Sequence, residues 1–136
     1  MEEKEIKQIE AISEEEIISR LMGEYKAPEK VYLVERLNVP FELKGLTEKE
    51  ITKIKEQCTY RGVLNANEFD AGLIVAAVTN FKFNNEQLLK HYTVSSAKEL
   101  VRRILLAGEI VGLTQAILKL SGFGNSVEEV EFIKKK

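Results

Sequence analysis

The chain has 136 residues, 44% of them hydrophobic and 31% charged, with a formal net charge of −2. This composition fits a water-soluble globular domain rather than a disordered chain, and the apolar runs are too short to cross a bilayer. The lone cysteine, Cys58, excludes an internal disulfide framework and fits a reducing cytosol, and the start of the chain has no signal-peptide pattern.

The charge is unevenly spread. Residues 1–30 hold nine Glu against five Lys and Arg, whereas the remainder is slightly basic. The sequence therefore predicts an acidic N-terminal arm over residues 1–30 and a single α+β domain over 31–136. An acidic arm repels phosphates, so no nucleic-acid partner is expected.

Within the arm, Ser13 and Glu16 have capping-box spacing, with Ile12 and Ile17 placed to close over the cap. Ile17, Ile18 and Leu21 form a narrow apolar stripe, and Gly23 is a stop. Beyond Pro28, Val31–Leu37 is rich in β-branched residues and Phe41–Lys44 alternates, so residues 31–44 read as a β-hairpin. Such a hairpin must pack on something, since alone it is only marginally stable.

Thr47 and Glu50 open the next helix, which carries Ile51, Ile54 and Cys58 on one face. Residues 62–66 read as a loop. Asn67 then caps a buried helix running to about Asn80, and Asn84 caps a short one ending at His91. Ser96 and Glu99 start a helix with Leu100, Val101, Ile104 and Leu105 inward, and Glu99 paired with Arg103 outward. Gly108 breaks the run before a helix that Gly122 ends, where Phe123 can fold back on Leu118. Ser126 and Glu129 would begin a last short helix. The predicted architecture is an N-terminal hairpin followed by a mostly α-helical body of five or so short helices.

Little here can do chemistry. His91 is the one imidazole and sits at a helix C-terminus, where a protonated histidine is stabilised by the helix dipole. Cys58 lies on an apolar stripe and reads as a core thiol; a Cys58–His91 dyad has no motif behind it. One His and one Cys cannot supply a usual zinc set. Gly122-Phe123-Gly124 lacks the strand and the Lys-Ser/Thr of a phosphate loop. No catalytic residue, cofactor or metal site is expected. Arg102-Arg103 is the only support for an alternative, a small helical regulatory or DNA-associated protein of a mobile element.

The segment from Pro40-Phe41-Glu42-Leu43 through Lys44-Gly45-Leu46-Thr47-Glu48 and the helix after it resembles the XkdN-like tail assembly chaperones of long-tailed bacteriophages and prophages. So do Ala97-Lys98-Glu99-Leu100, Leu105-Leu106-Ala107-Gly108-Glu109 and Leu120-Ser121-Gly122-Phe123. The likeness runs from about Val31 to Phe132. It implies a non-enzymatic protein of the host cytoplasm, absent from the mature virion, that keeps the tape measure protein soluble while tail tube subunits assemble. It implies two further partners, the tail tube protein and a frameshift-extended form of the chain itself, for which the Lys134-Lys135-Lys136 ending fits a slippery message. A helix-in-groove contact would suit the tape measure. The residues offered for it are Ile17, Ile18 and Leu21 near one end, and Val127, Val130, Phe132 and Ile133 near the other. The same side chains could instead cover the domain's own core.

Overall fold

Ser13, Thr47, Asn65, Asn85 and Ser96 each open a helix in the same way. A side-chain oxygen accepts the backbone N–H three residues on, at 3.1–3.2 Å. Each bond satisfies a donor that the first helical turn leaves unpaired. A computed structural model describes residues 5–124 and 126–134. In chain order its elements are β1 (Lys7–Ile9), α1 (Glu14–Leu21), β2 (Glu29–Val34), β3 (Val39–Lys44), α2 (Glu48–Gln57), β4 (Thr59–Tyr60), β5 (Val63–Leu64), α3 (Ala66–Ala77), α4 (Glu86–Tyr92), α5 (Ala97–Ile104), α6 (Ala107–Leu120) and β6 (Val130–Phe132). This is an α+β fold, as the sequence predicts. It divides into two units, Met1–Lys26 with Gly124–Lys136, and Ala27–Phe123.

The larger unit is built around α3, which packs on α2, α5, α6 and β3. Leu73 and Ile74 of α3 are fully buried with Leu43, Cys58, Leu100, Val101 and Ile117. Each leucine or isoleucine buried in this way contributes about 1.5–3 kcal/mol. Two glycines mark places where elements come too close for a side chain. A Cβ on Gly72 would meet Ile54 Cγ2 at 2.7 Å, and one on Gly45 would meet the Leu120 carbonyl oxygen at 2.3 Å.

The hairpin β2–β3 is antiparallel, with Val31 opposite Glu42 and Leu33 opposite Pro40. Phe41 and Leu43 face the core, where Phe41 meets Phe83 at 5.6 Å between ring centroids. The outer edge of β3 is closed by the chain that leaves α3. Thr79 N–H donates to the Glu42 carbonyl at 2.8 Å, and the Asn80 side chain bonds Glu42 N–H and the Pro40 carbonyl at 2.9 Å each.

That closure explains where α3 ends. The expected helix from Asn67 to about Asn80 instead begins at Ala66 behind an Asn65 cap and stops at Val78, which takes extended geometry to bridge Leu43. Asn85, not Asn84, caps α4. The expected break at Gly108 falls earlier, at Leu105 and Leu106, and Gly108 lies in the first turn of α6. The Glu109 carboxylate replaces a polar cap there by accepting Leu106 N–H at 2.8 Å. Residues 59–64 form a small hairpin rather than plain loop, with Arg61 and Gly62 at positive φ. The C-terminus of α6 follows the Schellman pattern: Gly122 N–H donates to the Lys119 carbonyl and Phe123 N–H to that of Leu118.

The smaller unit holds α1 and a two-stranded parallel pair, β1 with β6, in the register Lys7–Val130 and Ile9–Phe132. Here the helix expected to start at Ser126 is corrected to a strand. Val130, Phe132 and Ile133 are β-branched or aromatic, and Ile133 N–H donates to the Ile9 carbonyl at 3.0 Å. The last two lysines of the Lys134-Lys135-Lys136 ending lie outside the described residues.

Candidate functional site

The residues named for partner binding all fall in the smaller unit. Ser13 caps α1, Glu14, Glu15 and Glu16 occupy its positive N-terminal end, and Arg20 closes an ion pair to Glu16 at 3.2 Å. The Glu16 carboxylate is therefore held by Arg20 one turn on. These polar contacts order the helix without using its apolar stripe. Ile17 and Ile18 are exposed, and Leu21 is 77% exposed. Val130, half-buried, and Phe132, exposed, lie on β6; Ile133 is exposed beyond its end, and Val127 before it is 91% exposed. The sequence reading missed β1, whose pairing brings Ile9 beside Phe132. Met22 and Tyr25 are exposed as well and extend the apolar surface after α1. Among the described residues of this unit, none is buried.

The residues with chemical potential lie in the larger unit. Cys58 is fully buried, and its Sγ lies 3.9 Å from Lys98 Nζ. Burial pushes its thiol pKa up despite that ammonium, so the group is held as the thiol, the unreactive form. Lys98 is committed elsewhere, to Glu68 at 3.0 Å, and Tyr60 donates to the same carboxylate at 2.7 Å. These two bonds, Tyr60's first, hold Glu68 below the usual carboxylate range. His91 stacks edge-on against Tyr92 at 4.8 Å, and the polar neighbour of the Cys58 sulfur is Lys98. The described residues contain no group of three or more His, Cys, Asp or Glu placed to hold a metal. The expected outward pair of Glu99 with Arg103 is replaced. Glu99 accepts Ser95 N–H at 2.8 Å, and Arg103 lies over the Tyr92 ring at 5.4 Å.

The family model for the phage XkdN-like tail assembly chaperone protein matches residues 18–134. The chain belongs to this family. The match includes the hairpin, all five helices of the larger unit and β6. A crystal structure of the protein yqbn has the same fold, with 22% sequence identity and a TM-score of 0.58 over 74% of this chain and 90% of that one. A search of curated proteins finds no match. Tail assembly chaperones as a family have a non-enzymatic role. No described helix of this family member is long and apolar enough to cross a membrane.

Proposed function

We propose that this tail assembly chaperone binds a phage tape measure protein and keeps it soluble while the tail tube assembles. It does so without catalysis, in the host cytoplasm, and it is absent from the finished virion. The observation that carries this reading is the smaller unit, which presents Ile17, Ile18, Leu21, Val127, Phe132 and Ile133 to solvent and buries none of its described side chains. Two short strands and an eight-residue helix without a core are poorly stabilised alone, because isolated helices and strand pairs of this length are marginal in water. An apolar partner helix laid on that surface would supply the missing burial.

The test is co-expression with the tape measure protein of the same gene cluster, scored by its solubility and by co-purification. A soluble, co-purifying tape measure supports the reading. A tape measure that stays insoluble, with this chain unbound, overturns it for this form of the chain. Cys58 supplies a check on the non-catalytic part: it should resist thiol reagents in the folded protein and react once the protein is unfolded.

A further inference from the structure

The hairpin has one closed edge and one open edge. In an antiparallel pair, successive residues point their N–H and C=O groups alternately toward the partner strand and away from it. Pro40 has no N–H to give, and Glu42 and Pro40 already bond outward to Thr79 and Asn80. The inward ladder bonds therefore belong to Phe41 and Leu43, opposite Tyr32 and Lys30. The outward groups of β2 then belong to Val31 and Leu33. No backbone or side-chain partner takes them among the described residues. Both side chains are exposed too, at 64% for Val31 and 54% for Leu33.

Beside this edge runs a groove of about 530 Å³ between β2 and α6. Tyr32 and Val34 form one wall, and Leu106, Gly112 and Leu113 form the other. Gly112 leaves its side of the groove open, since a Cβ there would meet nothing within 4 Å. Glu109, also in the wall, is neutralised by Arg36 at 2.8 Å. A strand laid along β2 would bond Val31 and Leu33 with its backbone. Its alternate side chains would point into the groove on one face and lie beside Val31 and Leu33 on the other.

The charges select the occupant. Glu29 and Glu35 flank the open edge, and Glu42 lies on the same face as Val31. The nearby cations are engaged: Arg36 with Glu109, and Lys44 with Glu50 at 3.6 Å. Lys30, itself exposed, stands on the face of Phe41 and Leu43 rather than that of Val31 and Leu33, and the three glutamates outnumber it. Glutamates around an open edge disfavour pairing with a second copy of the same acidic edge and favour a basic one.

We infer that β2 is a strand-addition site for an extended apolar peptide segment flanked by Lys or Arg, seated between β2 and α6. This site lies wholly in the unit Ala27–Phe123, so it stands or falls independently of tape measure binding by the other unit.

The test uses the full chain and a synthetic peptide, Lys-Val-Thr-Ile-Thr-Val-Lys, about one ordinary strand long. Amide exchange is followed by NMR with and without peptide. The expected result is slowing of the Val31 and Leu33 amides by about tenfold or more at millimolar peptide, a range typical of a weak site. The same peptide with Glu ends should bind about tenfold more weakly, and a version N-methylated along one edge should not bind. Leu33→Pro removes an outward N–H and the exposed leucine side chain but no ladder bond, and should abolish binding with the circular dichroism unchanged. Should Leu33→Pro unfold the chain, the N-methylated peptide still decides the matter. No protection of Val31 and Leu33 at millimolar peptide overturns the site. Equal binding of the Glu-ended peptide overturns the occupant. Protection that rises with protein concentration alone also overturns it, by giving the edge to a second copy.

Discussion

Arg36 and Glu109 form a two-pronged ion pair that ties the end of the hairpin to the start of α6. Nε donates to Oε2 at 3.0 Å and Nη2 to Oε1 at 2.8 Å, and Nη2 also reaches the Ile104 carbonyl at 2.8 Å. The Glu109 carboxylate meanwhile caps Leu106 N–H. One guanidinium thus fixes both the α5–α6 corner and its distance from β2. Lysine cannot reproduce that planar fork. Arg36→Lys should lower the thermal midpoint by a few degrees, the scale of a partly exposed pair. Glu109→Gln should cost a similar amount, and the double variant less than the sum, as a thermal-unfolding cycle would read out.

Two glycines should respond in opposite directions. Gly45→Ala drives a Cβ into the Leu120 carbonyl, which is backbone and cannot swing aside, so a loss of about 3 kcal/mol or more is expected. Gly112→Ala adds a methyl group to open space within α6 and should gain about 0.5–1 kcal/mol from helix propensity. Urea unfolding of the two variants against the parent measures both.

Acid should weaken the fold below the ordinary glutamate value of 4.5. The Thr47 N–H holds Glu50 below that value, as Tyr60 does for Glu68, the Ser95 N–H for Glu99 and Arg36 for Glu109. A group with a lowered folded pKa contributes stability above its unfolded value and loses it as pH falls through the folded one. Asp70 opposes this trend, because burial raises its pKa above the ordinary value and its protonation as pH falls therefore favours the folded state. Glu50→Gln should flatten the acid limb of stability against pH. An unchanged limb would remove Glu50 from the account.

The exposed residues of the smaller unit should separate binding from stability. Leu21→Ser, Val127→Ser and Phe132→Ser remove no buried side chain, so each should shift stability by no more than about 0.5 kcal/mol. Under the proposed function, the triple variant should lose most of its co-purification with tape measure protein while its thermal midpoint holds. A midpoint that collapses would show these side chains covering a core instead.

Much of the fold was legible in local spacing. Ser13, Thr47 and Ser96 announced three helix starts, Gly122 and Phe123 announced one stop, and the alternation through Phe41–Lys44 announced a strand. Each of these signals acts within a short local stretch, the longest being Leu118 to Phe123, so the chain alone specifies it. The misplaced features depend on distant partners. Val78 leaves the helix because Leu43 and Glu42 wait beside it. The start of α6 is a local exception, where Glu109 caps Leu106 although the sequence offers no polar cap residue. Residues 130–132 become a strand because residues 7–9, at the far end of the chain, pair with them.

The partner surface was legible in the same limited sense. The sequence picked out Ile17, Ile18, Leu21 and the Val127–Ile133 group as apolar residues lacking an obvious core. Apolar periodicity shows that a face wants burial but not what buries it. Which edge of the hairpin stays open was beyond the sequence altogether. Pro40 and the regular alternation of β2 are visible in the residues, yet only packing of the chain after α3 against β3 closes one edge and leaves Val31 and Leu33 on the other. Sequence determined the caps, stops and alternating faces, because those are local competitions for backbone hydrogen bonds. Tertiary structure decided the end of α3, the β1–β6 pair and the free edge, because each rests on a bond between segments far apart in the chain.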